Sequence, residues 1–237
     1  MRRICIFFTS FATSFILLLT ALGASPAHAA SVVTVNCETG TYKKATDELV
    51  VSVYEGSTCS GAVVIPEGVT HIQPWAFYEA TALTSITIPA GVETVGNYAF
   101  ARATLLKTVT FAEGSLLESI GDGAFERATS LTSITIPASV ESIGRNAFQG
   151  ATSLESINFT DTLDDPALLT SIGYGAFFGS AKLTSITIPA SVKTIGDSAF
   201  IDAPKLASIT IPASVEIIGR NAFSDATSLQ SINFTDT

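Results

Sequence analysis

The chain has 237 residues, of which 47% are hydrophobic and only 14% charged. That charged share lies well below the ~25% of ordinary soluble domains, and so apolar a composition excludes a disordered chain. A formal net charge of −9 has the wrong sign for a nucleic-acid interface, and two His with three Cys leave little material for a metal centre.

The first residues read as an export signal. Arg2 and Arg3 precede an apolar stretch from Ile4 to Leu22, and Ala27-His28-Ala29 fits a small-x-small cleavage site. The cut is placed after Ala29, giving a 1–29 signal peptide. The competing reading is a retained membrane anchor, because an apolar run near this length spans ~30 Å of bilayer as a helix. Pro26 and the cleavage site favour removal, and no second apolar run follows. Cleavage removes two Arg and no acid, leaving 10 basic against 21 acidic side chains, a formal −11. Such a charge repels anionic surfaces, so neither lipid head groups nor polyanions are expected partners. The expected location is therefore outside the cell, secreted or on its surface.

Residues 30–62 read as an N-terminal cap. Leu49-Val-Val-Ser-Val53 has the composition of a strand. Cys5 leaves with the signal, so Cys37 and Cys59 remain in an oxidising compartment, where a disulfide between them is expected. Two free thiols are the alternative. Zinc is disfavoured, because His71 is the sole imidazole of the mature chain and a structural site needs four ligands. Tyr42, Tyr54 and Trp75 are candidates to fill the cap.

From residue 63 to 237 the chain repeats itself. The dipeptide Ala-Phe recurs with Phe at 77, 100, 125, 148, 177, 200 and 223, at spacings of 23, 25, 23, 29, 23 and 23 residues. Five positions before each Phe stands Ile or Val, eight before it Val or Leu, and six after it Leu. The unit Leu-x-x-Ile-x-Ile, as in Leu131 to Ile136, alternates with period two and predicts a short strand with one buried face. Pro89, Pro137, Pro189 and Pro212 follow such strands directly and lack the N–H that would continue a ladder. Gly four before nearly every Phe suggests a tight turn, and a small residue three after it suggests a place where the chain folds back on itself. One such unit buries too little to fold alone, so each must stack on its neighbours. The fold class is mostly β with irregular or short helical returns: a solenoid of 23-residue units whose strands run parallel.

The stretch Leu131-Thr-Ser-Ile-Thr-Ile136-Pro137-Ala-Ser-Val140-Glu-Ser-Ile143-Gly144-Arg-Asn-Ala147-Phe148 resembles the BspA-like leucine-rich repeat family, and the resemblance covers about residues 60–237. It implies a curved leucine-rich repeat horseshoe and a bacterial secreted or surface protein engaged in adhesion. The chain departs from the family in having Ala or Ser where a Cys often follows the Phe, and no asparagine ladder of other leucine-rich repeats is legible. Two units are lengthened just after the strand, by Ala112–Leu116 and around Asp161–Pro166, and both read as surface loops. Asp161, Asp164 and Asp165 match no Ca²⁺-loop spacing, and a solvated acidic loop is the plainer reading. The words Ser156–Thr162 return at Ser231–Thr237, where nothing caps the last strand. A fragment of a longer surface protein, or an edge that associates with another chain, is expected there.

No catalytic, cofactor or metal residue is assigned. His71, the sole imidazole of the mature chain, is expected on a repeat surface, and no hydrolase elbow, zincin motif or phosphate loop occurs. Gly173-Tyr-Gly-Ala-Phe-Phe-Gly179 has the look of a dinucleotide loop, but the repeat frame explains its first Gly and no βαβ context follows. Glu93, Glu141 and Glu216 share one frame position and predict a surface row. Asn158 and Asn233 lie in Asn-Phe-Thr sequons, which matter only on a eukaryotic export route. The candidate binding face comprises Ser85, Thr87, Thr108, Thr110, Ser133, Thr135, Ser156, Asn158, Ser185, Thr187, Ser208 and Thr210, which flank the central apolar residue of successive strands. Stacked ~4.8 Å apart they predict two continuous rows of uncharged hydrogen-bonding groups. The partner expected there is a protein or glycan. The alternatives are a structural spacer, a surface that binds ice through its Thr rows, and Ser and Thr serving only to solvate a strand.

Overall fold

A computed structural model describes residues 50–51, 59–161 and 165–235. The export signal, Cys37, Tyr42, Tyr54 and most of the expected cap lie outside the described residues. So does Asp164.

Among the described residues there are sixteen strands and no helix, and every pairing is parallel. The returns are irregular turns. Each unit supplies a two-residue strand and a longer one, because the chain passes the same two sides of the coil once per turn. The short strands are β1 (Val50–Val51), β3 (His71–Ile72), β5 (Thr94–Val95), β7 (Ser119–Ile120), β9 (Ser142–Ile143), β11 (Ser171–Ile172), β13 (Thr194–Ile195) and β15 (Ile217–Ile218). They pair in sequence as one unbroken eight-stranded sheet. The longer strands are β2 (Ser60–Val64), β4 (Ala82–Ile88), β6 (Thr108–Phe111), β8 (Ser133–Ile136), β10 (Ser156–Phe159), β12 (Ser185–Thr187), β14 (Ser208–Pro212) and β16 (Ser231–Thr235). These do not form the continuous face that the repeat predicts. They divide into a three-stranded sheet, β2-β4-β6, and a five-stranded sheet, β8-β10-β12-β14-β16.

The strand expected at Leu49–Val53 is present at Val50–Val51, and β1 and β2 already pair with β3 and β4. Pro ends β4 and β8 as expected, but β14 runs through Pro212, which still has a carbonyl to offer although it has no N–H.

Between the two strand sides lies one apolar column. The Phe of each unit stacks on the next, from Phe77 to Phe223, with ring centroids 5.0–5.6 Å apart. The six rings from Phe77 to Phe200 are fully buried. Burial of a Phe stabilises by roughly 1.5–3 kcal/mol, and offset stacking adds about 0.5–1.5 kcal/mol. The small residue three after each Phe is buried at Ala80, Ala103, Ala128, Ala151, Ser180 and Ala203, where the returning chain leaves no room for more.

The turn around each Phe is built differently from the expectation. The left-handed residues are those two before and two after the Phe, among them Arg102, Arg127, Asn146 and Asp202 as well as Gly123 and Gly179. The Gly that recurs four before the Phe is not left-handed. It is there because neighbouring turns touch: a Cβ on Gly144 would sit 2.7 Å from the backbone N of Asp122, and one on Gly173 2.6 Å from the carbonyl carbon of Gly144. Beside the Phe, N–H groups donate forward, as from Phe125 to the Ala147 carbonyl and from Arg127 to that of Gln149. On the strand sides some donate backward, as from Gly144 to Ile120, and others forward, as from Ile188 to Thr210. Each unit is thus tied to the next by bonds running both ways, which satisfies backbone groups that a buried turn must pair.

The last unit differs from the rest. Ile218 is 42% exposed and Phe234 67%, whereas the equivalents of Ile218 in interior units are buried and those of Phe234 buried or half-buried; Ile217, 57% exposed, stands where interior units carry half-buried polar residues.

Candidate binding face

The strand geometry puts the predicted face residues side by side. Ser85 pairs in register with Thr108 and Thr87 with Thr110. Ser133 pairs with Ser156 and Thr135 with Asn158. Ser185 pairs with Ser208 and Thr187 with Thr210. All twelve side chains point away from the core. Thr108, Thr110, Ser133, Thr135, Asn158, Ser185 and Thr187 are exposed, and Ser85, Thr87, Ser156, Ser208 and Thr210 half-buried.

The rows are interrupted at two seams. No ladder joins β6 to β8, and β10 meets β12 only at Ser156 and Ser185. Each seam follows a lengthened unit. Strand β6 pairs over four residues with the shorter unit before it, and β10 does the same with β8. The following turn, with its shorter corner, cannot then lie flush along the larger one. Ala112–Leu116 forms the expected surface loop, with Gly114 left-handed at φ 70° and Glu113 and Leu116 exposed. Asp161 and Asp165 are exposed as well, and the Asp161 carboxylate accepts a hydrogen bond from the Ala167 N–H at 3.1 Å. A groove of about 640 Å³ lies at the β6–β8 seam, and a smaller one of about 380 Å³ at the β10–β12 seam. Sequence reading found the two insertions and the two rows but not the grooves, whose signal is the long-then-short order of unit lengths.

Other sequence candidates fall elsewhere. His71 is half-buried in β3, its Nδ1 2.8 Å from the Thr70 hydroxyl and its Nε2 3.9 Å from Glu93. The acidic row differs from the expected one: the Glu118 N–H donates to Glu93 and the Glu141 N–H to Glu118, so three Glu follow one another and Glu216 stands apart from them. Beyond them the row continues as Thr170, Lys193 and Glu216, with Lys193 3.9 Å from Glu216. Glu118 was readable from its place seven before Phe125. Trp75 is 40% exposed and stacks on Tyr98 at 4.4 Å, with Tyr78 edge-on at 4.9 Å. Gly173–Gly179 is an ordinary turn between strands, as the frame requires. A partial ladder of side-chain acceptors does exist. The Asn97 amide oxygen accepts from the Asp122 N–H, the Asp122 carboxylate from the Arg145 N–H, and the Asp197 carboxylate from the Arg220 N–H, at 2.7–2.8 Å. Among the described residues no group of three His, Cys, Asp or Glu is placed to hold a metal ion.

The model of the BspA type leucine-rich repeat region matches in six copies over residues 51–167 and 162–237. The chain belongs to the BspA-type leucine-rich repeat family. A leucine-rich repeat protein of T. pallidum, TpLRR, is similar in structure, with a TM-score of 0.66 and 24% identity over 87% of this chain and 91% of its own. The pneumococcal vaccine antigen PcpA gives a TM-score of 0.50 at 21% identity, over 86% of this chain and 70% of that one. A leucine-rich repeat protein of Bacteroides ovatus is 18% identical, with a TM-score of 0.47, over 87% of this chain and 75% of its own. No curated protein matches. These likenesses concern the BspA-type fold.

Proposed function

We propose that this BspA-type repeat protein is a secreted or cell-surface binding scaffold that recognises a protein or glycan through its hydroxyl-bearing strand face, without catalysis. The observation that carries the reading is the register: uncharged donors and acceptors stand in paired positions on rigid strands, with their side chains exposed at the centre of the face. Such groups offer hydrogen bonds on a preorganised surface, which limits the ordering cost of binding. The test is capture of extracellular-matrix proteins and arrayed glycans by the secreted chain. Thr135→Arg and Thr187→Arg should each abolish capture at an unchanged melting temperature. Capture unaffected by either would place recognition elsewhere. The broken rows weigh against ice binding, which calls for a flat repeating lattice.

The export signal at 1–29 and a cap over 30–62 closed by Cys37–Cys59 belong to the same reading. Its support is the complete burial of Cys59 where the core begins. Intact-mass and peptide mapping of the secreted protein should give an N-terminus at Ala30 and the Cys37–Cys59 link; a start at Met1 or unlinked thiols would refute it. Self-association through the last unit is favoured by the exposed Ile217, Ile218 and Phe234. Sedimentation should then show concentration-dependent dimers that Phe234→Lys dissolves. A spacer role would instead show as full adhesion by a larger parent protein from which this face has been mutated.

A further inference from the structure

We infer that the β6–β8 seam is a docking groove for an extended peptide carrying basic side chains; this narrows the strand-face reading and rests on it. Strand β6 uses one side of its backbone on β4, and β8 uses one side on β10, in each case over four residues. The facing sides of β6 and β8 have no ladder between them. Neither strand is poorly made, since both pair fully on the other side. The seam opens because of the two extra residues in the corner after β6.

The groove along this seam measures about 640 Å³ and offers three things at once. The first is an open line in the sheet where β6 and β8 lie beside each other without a ladder. The second is a double line of hydroxyls, Thr108 and Thr110 on one bank and Ser133 and Thr135 on the other. The third is charge of a single sign: Glu113 and Asp165 stand on the lining, with no Lys, Arg or His among the described residues that form it. An extended chain is the ligand whose own backbone repeats at the ~3.3 Å per residue of a strand, so lying along the groove it can meet the hydroxyls of both banks in succession. Its basic side chains would meet Glu113 and Asp165, against a protein of net charge −9 that attracts cations as a whole. The β10–β12 groove is smaller, about 380 Å³, and is still pinned at Ser156 and Ser185, so it is the poorer slot.

The experiment uses the full secreted chain, labelled with ¹⁵N, and an alternating Lys-Thr octapeptide against its Glu-Thr counterpart. The Lys-Thr peptide should shift the amides of Thr108–Phe111 and Ser133–Ile136, and the Glu-Thr peptide should bind at least about tenfold more weakly. Deleting Glu113 and Gly114 restores the 23-residue spacing. The strands should then pair, the melting temperature rise, and peptide binding fall by about tenfold or more. Glu113→Lys, which leaves the loop length alone, should weaken the Lys-Thr peptide and favour the Glu-Thr one. No shift with the Lys-Thr peptide, or binding indifferent to both variants, overturns the inference. Shifts that map to β12 and β14 and survive the deletion overturn it while leaving the strand-face reading in place. Loss of Thr135→Arg and Thr187→Arg sensitivity in matrix and glycan capture would remove that reading itself.

Discussion

The two strand sides of the solenoid respond differently to the same insertions. On the short-strand side eight strands from β1 to β15 pair without interruption. On the hydroxyl side the ladder is broken after β6 and nearly so after β10. Both insertions lie in the corner just after the longer strand, and the chain has regained its register by the time it reaches the short strand. Thr94 and Val95 pair with Ser119 and Ile120 across the first insertion, and Ser142 and Ile143 with Ser171 and Ile172 across the second, as though no residues had been added. The stacked Phe column and the forward bonds beside it hold the turns in step, while the side nearest the insertion yields. A repeat protein can in this way vary one face without disturbing the core.

Changes on the two sides should therefore have unequal effects. The largest is expected at the column: Phe148→Ser removes a fully buried ring between Phe125 and Phe177. It should cost about 4 kcal/mol or more, read as a lower urea midpoint of a single cooperative transition. A loss confined to one end of the chain, with the rest unfolding as before, would show that the column does not couple the turns. Next comes Gly144→Val, which forces bulk against the backbone of Asp122. An overpacked contact of this kind should cost about 1–3 kcal/mol, and a neutral result would mean that the turns can part without penalty. Asp122→Ala removes an acceptor from the Arg145 N–H at 2.7 Å and should lower stability by about 1 kcal/mol. The smallest effect has the opposite sign. The hydroxyl of Ser180 is buried with no partner, in a position where other units have Ala. Ser180→Ala should raise stability by about 1 kcal/mol, measured in the same urea titration. By contrast Thr135→Arg on the open face should leave the midpoint where it is.

The misread positions have a common cause. Gly at 144 and 173 suggests a turn because Gly is commonest where φ is positive, yet the constraint is contact between successive turns. Some of the true left-handed positions hold Gly, Asn or Asp, which favour positive φ, but others hold Glu79, Arg102 and Arg127, which carry no local signature. They are held by bonds to the next turn, as from Asp202 to the Ser224 carbonyl at 2.9 Å. The side-chain ladder of Asn97, Asp122 and Asp197 was missed because Arg145, Tyr174 and Arg220 occupy the same frame position and hide the pattern.

The amino-acid sequence alone determined the period, the buried Phe and Leu positions, the parallel strands and the outward rows of Ser and Thr. These follow from which side chains water excludes at fixed intervals along the chain, and that is a local property repeated. Only the tertiary structure decided where the rows are cut. A seam depends on the difference in perimeter between one turn and the next, and on which side of the coil absorbs it. Neither quantity belongs to any single unit.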